Sequence, residues 1–179
     1  FEKMLYDNAA LLGLYAEFGA QHDLPDLCAV ACATADWLLA EMQDEAGGFY
    51  ASIDADADGE EGSFYVWTRD QVAALLGADH AAFASEYGLD AAANFENRWH
   101  LRRASPERGQ PLPPPDAQTR TQLRTLYTAR GLRVAPGRDD KILTAWNALT
   151  MRALARAGRW LSRPDYVAAA TRALDYLKT

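Results

Sequence analysis

Five carboxylates fall within eight positions, Asp54, Asp56, Asp58, Glu60 and Glu61. Aromatic residues flank them: Phe49 and Tyr50 before, Phe64, Tyr65 and Trp67 after. Two chemistries fit such a stretch at first sight. One is calcium binding, because Asp54, Asp56, Asp58 and Gly59 match the first half of an EF-hand loop. The second half does not match. Tyr65 stands where the closing bidentate acid belongs, Glu61 stands at the apolar position, and the flanks read as strands. No metal site is therefore expected. The other chemistry is carboxylate catalysis on a sugar. Cleaving a glycosidic bond takes two carboxyl groups about 5 Å or about 6.5–9.5 Å apart. In an extended chain alternate residues share a face, so Asp54, Asp56 and Asp58 cluster if the extension persists. Crowded acids raise one another's pKa, as a general acid requires. The same string also reads as a water-exposed turn between two strands, and both readings stay open.

Other polar constellations lie near predicted helix starts. "RDDK", Arg138 to Lys141, either caps a helix through Asp139 or Asp140 or lines the mouth of a cavity. "TAWN", Thr144 to Asn147, sets a hydroxyl, an indole and an amide on one helical turn, which suits a sugar-sized ligand. Lys3, Tyr6, Asp7 and Asn8 form a similar group at the start of the chain. His22, His80 and His100 lack metal-ligand spacing, and no nucleophile elbow, P-loop or dinucleotide fingerprint is present, so no cofactor is expected. Cys28 and Cys32 lie in an Ala-rich helical stretch and read as small buried apolar residues.

These residues need elements to hold them. Apolar spacing predicts helices over 3–20 and 25–43, the second opening on Pro25. "GFYASI" and "SFYVWT" read as the two strands of a β-hairpin inserted over 47–68. Thr68 and Gln71 fit a capping box that opens a helix running to about Leu76. A short helix is expected over 79–87, an irregular stretch or short strand over 94–101, a linker at Pro111–Pro115, and a helix over 116–130. Helices over 140–159 and 164–178 close the chain.

A shift of 139 residues superposes the two ends. Asn8 meets Asn147, Gly19 meets Gly158, Pro25-Asp26 meets Pro164-Asp165, and Asp36-Trp37-Leu38 meets Asp175-Tyr176-Leu177. A repeated helical hairpin with decorated loops points to an α/α toroid or a solenoid. The fold class expected is mainly α, one domain over 1–179, a partial α/α toroid with a small inserted β-hairpin. The polar first helix of each pair is expected to face the central cavity.

Composition excludes several classes. The chain has 179 residues, 49% hydrophobic and 24% charged, as an ordinary globular domain has. No apolar run reaches the ~20 residues of a membrane span. No signal peptide is visible, so the cytoplasm is the default expectation. Residues 1–68 carry 14 acids and one base, a net −13, and residues 69–179 carry 11 acids and 17 bases, a net +6. The acidic part disfavours nucleic acid. The scattered arginines read as solvated faces, some of them pairing with the acidic part.

The motifs "FEKMLYDNA" (1–9), "GGFYASIDADADGEEGSFYVWT" (47–68), "NFEN" (94–97) and "RDDKILTAWNAL" (138–149) resemble the YyaL-type, spermatogenesis-associated protein 20-like family of thioredoxin-domain-containing proteins. The resemblance covers nearly the whole chain. It implies an upstream thioredoxin-like domain and an α/α toroid of the six-hairpin glycosidase type, similar to N-acylglucosamine 2-epimerase. The chain holds no CxxC, so redox chemistry does not carry over. Its opening on Phe1 without methionine, and two hairpins where a ring needs more, lead us to expect part of a toroid. Epimerases of this fold use histidines, and none stands in the matching motifs. Asn97 and Ala148 stand where the family usually has glycine. Asn tolerates a left-handed backbone, whereas Ala148 is expected to narrow a pocket.

Two functions follow as expectations. The first is a carbohydrate-processing or carbohydrate-binding domain taking a sugar-like small molecule. Its acids would come from Asp54, Asp56, Glu60, Glu61, Asp7 and Asp140. Its binding groups would come from Lys3, Tyr6, Asn8, Tyr65, Trp67, Lys141, Trp146 and Asn147. The second is a non-catalytic scaffold that docks the thioredoxin-like domain or another protein.

Overall fold

The structure is a computed structural model and describes residues 1–103 and 114–178. The expected linker at 111–115 lies mostly outside the described residues. The chain is mainly helical with small antiparallel sheets. It divides into two compact units: Glu2–Asp54 with Gly137–Thr179, and Phe1 with Ala55–Pro136. We call them the helical-pair unit and the hairpin unit. Each has its own apolar core.

In the helical-pair unit, β1 (Lys3–Met4) leads into α1 (Leu5–Gln21), and α2 (Pro25–Trp37) follows with Pro25 in its first turn. The predicted helix over 25–43 continues beyond α2 as a π-helical turn, Leu38–Met42. β2 (Ser52–Ile53) and β5 (Arg138–Asp139) precede α6 (Thr144–Trp160) and α7 (Pro164–Lys178). α1 packs on α2 and on α6, and α6 packs on α7. Leu5, Leu12, Leu38, Met42, Phe49, Leu154 and Tyr166 are fully buried among small residues such as Ala16, Ala35 and Ala157. The alanines let the helices approach closely, and the large side chains fill what remains.

The 139-residue repeat is real in three dimensions. Adding 139 to the bounds of α1, Leu5 and Gln21, gives the bounds of α6, Thr144 and Trp160. The turns after them match as well. Asp23 and Ser162 both take positive φ, 52° and 55°. Leu24 N–H donates to Gly19 O, and Arg163 N–H donates to Gly158 O, both at 2.9 Å. Gly19 lies against Cys28 and Gly158 against Val167, the equivalent pair of positions. Cys28 and Cys32 are free thiols and half-buried, less deeply placed than expected.

Charge pairing between the acidic and basic parts occurs as read. Arg156 pairs with Glu17, and Arg163 pairs with both Asp36 and Asp165. Arg163 grips Asp165 through Nε (2.9 Å) and a terminal nitrogen (2.7 Å), and Tyr166 donates to Asp36 at 2.7 Å. The Arg163 bond holds the Asp165 carboxyl below the usual carboxylate range. The Tyr50 hydroxyl does the same for Asp44. A carboxylate depressed by folding stabilises fully above its unfolded pKa and loses that contribution as pH falls through its folded pKa. Stability is therefore expected to decline as pH drops below about 4. Asp165→Asn should flatten the acid limb of a Tm-against-pH curve by lowering Tm slightly near neutrality, the pair being exposed, and leaving it unchanged at low pH. An unaltered acid limb would remove Asp165 from the account.

In the hairpin unit, β3 (Asp56–Ala57) pairs with β4 (Glu60–Glu61). α3 (Arg69–Leu76), a 3-10 turn at Gly77–Asp79, α4 (His80–Glu86) and α5 (Ala117–Arg130) follow. Trp67, Val72, Phe83, Tyr87, Leu89 and Leu126 form the core. The Thr68 capping box forms as read: Gln71 N–H donates to Thr68 Oγ1, and Thr68 N–H donates to Gln71 Oε1. Asp116 caps α5 by accepting from Thr119 N–H at 2.7 Å.

The inserted hairpin is not the one expected. "GFYASI" supplies β2, which pairs with β1 and β5, and "SFYVWT" contributes no strand beyond one bridge between Trp67 and Trp99. The hairpin forms inside the acidic string because Asp58 and Gly59 supply its turn. Both take positive φ, 55° and 78°, as a two-residue type I′ turn requires, and Asp-Gly is a favoured pair there. Among the described residues, no helix is long and apolar enough to cross a membrane.

Candidate functional site

The expected site residues divide between the two units. In the helical-pair unit they gather at a three-stranded sheet ordered β1-β2-β5. Lys3 stands opposite Ile53, which stands opposite Arg138, and Met4, Ser52 and Asp139 form the next row. Directly opposed residues share a face. The sheet thereby brings together the starts of α1 and α6. Tyr6 and Trp146 meet edge to face, with centroids 4.8 Å apart, and both are half-buried. Asp7, Asp54, Asp140 and Lys141 are exposed.

Several of these groups are already engaged. Arg138 Nε donates to Asp140 at 2.7 Å, and Lys141 pairs with Asp139 at 3.0 Å. Neither aspartate caps a helix. Asp139 lies in β5, the chain reaches α6 only at Thr144, and the residue before it, Leu143, makes no side-chain cap. Asn8 donates its amide to Met4 O at 2.8 Å. Asn147 corrects our expectation of a ligand-binding group, since it is fully buried. Its Oδ1 accepts from Phe49 N–H at 2.7 Å, and its Nδ2 donates to Phe49 O at 2.9 Å and Leu143 O at 3.1 Å. Both amide protons are used, so nothing remains to donate to a sugar. Ala148 is exposed on α6 and narrows nothing.

Sequence reasoning missed one group here. Tyr50 donates to Asp44 at 2.6 Å, and the Arg138 guanidinium lies 4.0 Å from the Tyr50 ring centroid. The bond to Asp44 pushes the Tyr50 phenol up, and the bond to Asp140 pushes Arg138 up. Such a tyrosine holds its proton, so it binds and orients better than it acts as a base. An Asp six positions before an aromatic leaves no periodic trace in the sequence.

In the hairpin unit the acids take different places. Asp56 faces Glu61 across the strands, Asp58 sits in the turn, and Glu60 pairs with Arg98. All are exposed. The extension that would align Asp54, Asp56 and Asp58 is broken: Asp54 N–H donates to Gly137 O in the helical-pair unit, and Asp58 takes a left-handed conformation. Among the described residues, no three His, Cys, Asp or Glu side chains converge as a metal site requires.

One concave feature of the hairpin unit lies beside the acidic turn's aromatic flank, and another, of about 390 Å³, is bordered by Asp58, Phe64, Arg98 and Arg133. The first, a cleft of about 500 Å³, is lined by Tyr65, Trp67, Tyr87, Leu123, Leu126 and Tyr127, with Arg124, Arg130 and His100 among its polar groups. Trp67 is 4% exposed, so it builds the wall, while Tyr127 is 60% exposed. Arg133 sets the shape of this wall. One of its terminal nitrogens donates to Ser63, Phe64 and Val66 carbonyls at 3.2, 2.9 and 2.7 Å. Its guanidinium lies 3.9 Å from the Trp67 ring centroid. Burial pushes the Arg133 pKa down. Asn97, at the "NFEN" motif, takes φ 61°, the left-handed conformation its chemistry tolerates.

No family model matches the chain. Individual proteins do. The chain is similar to spermatogenesis-associated protein 20. The Mus musculus protein is 29% identical over 210 residues, which take in 99% of this chain and 27% of that protein. The Homo sapiens protein is 28% identical over the same shares. An uncharacterized protein of Caenorhabditis elegans is 24% identical over 99% of the chain and 28% of its own length. The chain thus spans little more than a quarter of the curated relatives it matches. Spermatogenesis-associated protein 20 aligns with both units, because the match takes in nearly the entire chain.

Proposed function

We propose that the chain is a carbohydrate-binding part of a carbohydrate-processing protein, and that the aromatic cleft of the hairpin unit holds the sugar. The observation that carries this reading is the cleft itself. Its volume of about 500 Å³ suits a small ligand, mostly apolar walls with a few polar groups being usual for such sites. Sugar rings present apolar C–H faces, and the exposed Tyr127 ring offers an aromatic face to match; Tyr65 borders the cleft and stacks on Phe1. The acids of the turn are exposed to water, which supports binding more than hydrolysis by that turn. The resemblance adds the wider frame of this proposal: repeated helix pairs as part of an α/α toroid, joined in the whole protein to a thioredoxin-like domain. Titration calorimetry with neutral sugars, N-acylated amino sugars and uronic acids tests it. Tyr127→Ala should weaken binding about tenfold, the loss of one stacking face. Heat signals absent for every sugar would sink the proposal.

A second reading rests on a different surface. Leu11, Leu14, Phe18 and Leu149 are 43–58% exposed on α1 and α6. Leu14 and Leu149 border a groove of about 320 Å³ with Gly13 and Ala153 at its base. Such a face supports a docking scaffold for the thioredoxin-like domain or another protein.

A further inference from the structure

Residues 117–136 carry Arg120, Arg124, Arg130 and Arg133 and no acidic residue. Two of these arginines, Arg124 and Arg130, line the aromatic cleft. Leu123, Leu126, Tyr127 and Arg130 recur at spacings of three and four along α5, so they share one face of it. Leu126 is buried in the core, which turns Tyr127 and Arg130 toward the cleft rim. Arg124, three residues before Tyr127, joins them there.

Among the described residues no ion pair is formed by Arg124 or Arg130. Among the described residues the ion pairs of the hairpin unit are Arg98 with Glu60 and Arg103 with Glu86. Arg130 sits instead among rings, 5.1 Å from the Tyr127 centroid, 5.2 Å from Phe64 and 5.7 Å from Tyr65. Aromatic faces hold a guanidinium in place without cancelling its charge. Its neighbour Arg133 feels that charge, since after burial the next cause lowering its pKa is Arg130. A planar guanidinium beside a stacking surface matches a planar carboxylate on a ring.

We propose that the cleft selects acidic sugars, rings bearing a carboxylate as uronic acids do, over neutral ones. The ring lies against Tyr127, and the carboxylate is taken by Arg124 and Arg130. This rests on the sugar-binding reading above and adds the class of sugar.

Calorimetry on the full chain with glucuronic acid, its methyl ester and glucose separates the two claims. Glucuronic acid is expected to bind roughly tenfold tighter than glucose, the worth of one charge-assisted contact. Arg124→Gln, at an exposed position, should narrow that gap by weakening glucuronic acid more than glucose, and an undiminished gap would remove Arg124 from the account. Salt near 1 M, where the Debye length is about 3 Å, should narrow it too. Equal affinity for acid, ester and glucose overturns the acidic preference and leaves the sugar-binding reading standing. Binding of none of the three overturns both.

Discussion

Asn147→Ala is expected to destabilise the protein by about 3 kcal/mol, because a buried donor and a buried acceptor lose their partner at once. Phe49 N–H and Phe49 O both bond to the Asn147 amide, and Phe49 is fully buried. No water reaches these groups when the amide is removed. For a chain of this size the loss corresponds to about 6–12 °C in Tm. Asn147→Asp should do no better. An aspartate oxygen still accepts from Phe49 N–H, but the other oxygen then faces Phe49 O and Leu143 O, which need donors. Thermal melts of the two variants check this. A Tm unchanged in Asn147→Ala would refute the account of the amide as a structural pin.

Gly158→Ala is the second large effect. A Cβ there would stand 2.6 Å from Val167 Cγ2 and 2.8 Å from the backbone oxygen of Arg163. Valine can rotate, but the Arg163 carbonyl is fixed by the turn between α6 and α7. Forced overpacking of this kind costs about 1–3 kcal/mol, of which alanine's better helix propensity returns at most about 1 kcal/mol. Gly19→Ala is the control built into the repeat. Its Cβ would meet Cys28 Sγ at 3.0 Å and Cys28 N at 3.1 Å, contacts that yield with smaller shifts. The expected order of Tm is parent, then Gly19→Ala, then Gly158→Ala. The reverse order of the two variants would refute the close-approach account.

Both predictions come from the repeat, and the repeat shows which features local sequence governs. Asn8 and Asn147 occupy equivalent positions, and each donates to the carbonyl four residues earlier, Met4 O and Leu143 O. That much is helix geometry, and it follows from spacing alone. The difference between them is not local. Only Asn147 finds a buried strand-like segment, at Phe49, to satisfy the rest of its amide. A side chain that looks ligand-ready on a helical wheel is thereby turned into a structural pin.

The acidic string shows the same divide. Its Asp58-Gly59 pair specifies a tight turn by backbone preference, and that was readable. Which segments pair around it was not. Ile53 and Ser52 had a choice between the aromatic run after the turn and two distant segments. They take the distant ones, opposite Lys3 and Met4 on one side and Arg138 and Asp139 on the other. The five acids therefore do not form the single row that one continuous extended strand would give, and Asp56 instead stands opposite Glu61.

The helices, their repeat at 139 residues and the capping box at Thr68 were legible in the residues alone. Each depends on hydrogen bonds and apolar spacing within a few residues. Tertiary structure alone decided where Asn147 points, where the acids stand, the Tyr50–Asp44 bond and the arginine-rimmed aromatic cleft. Those depend on partners far apart in the chain, and burial is a property of what covers a residue, not of the residue.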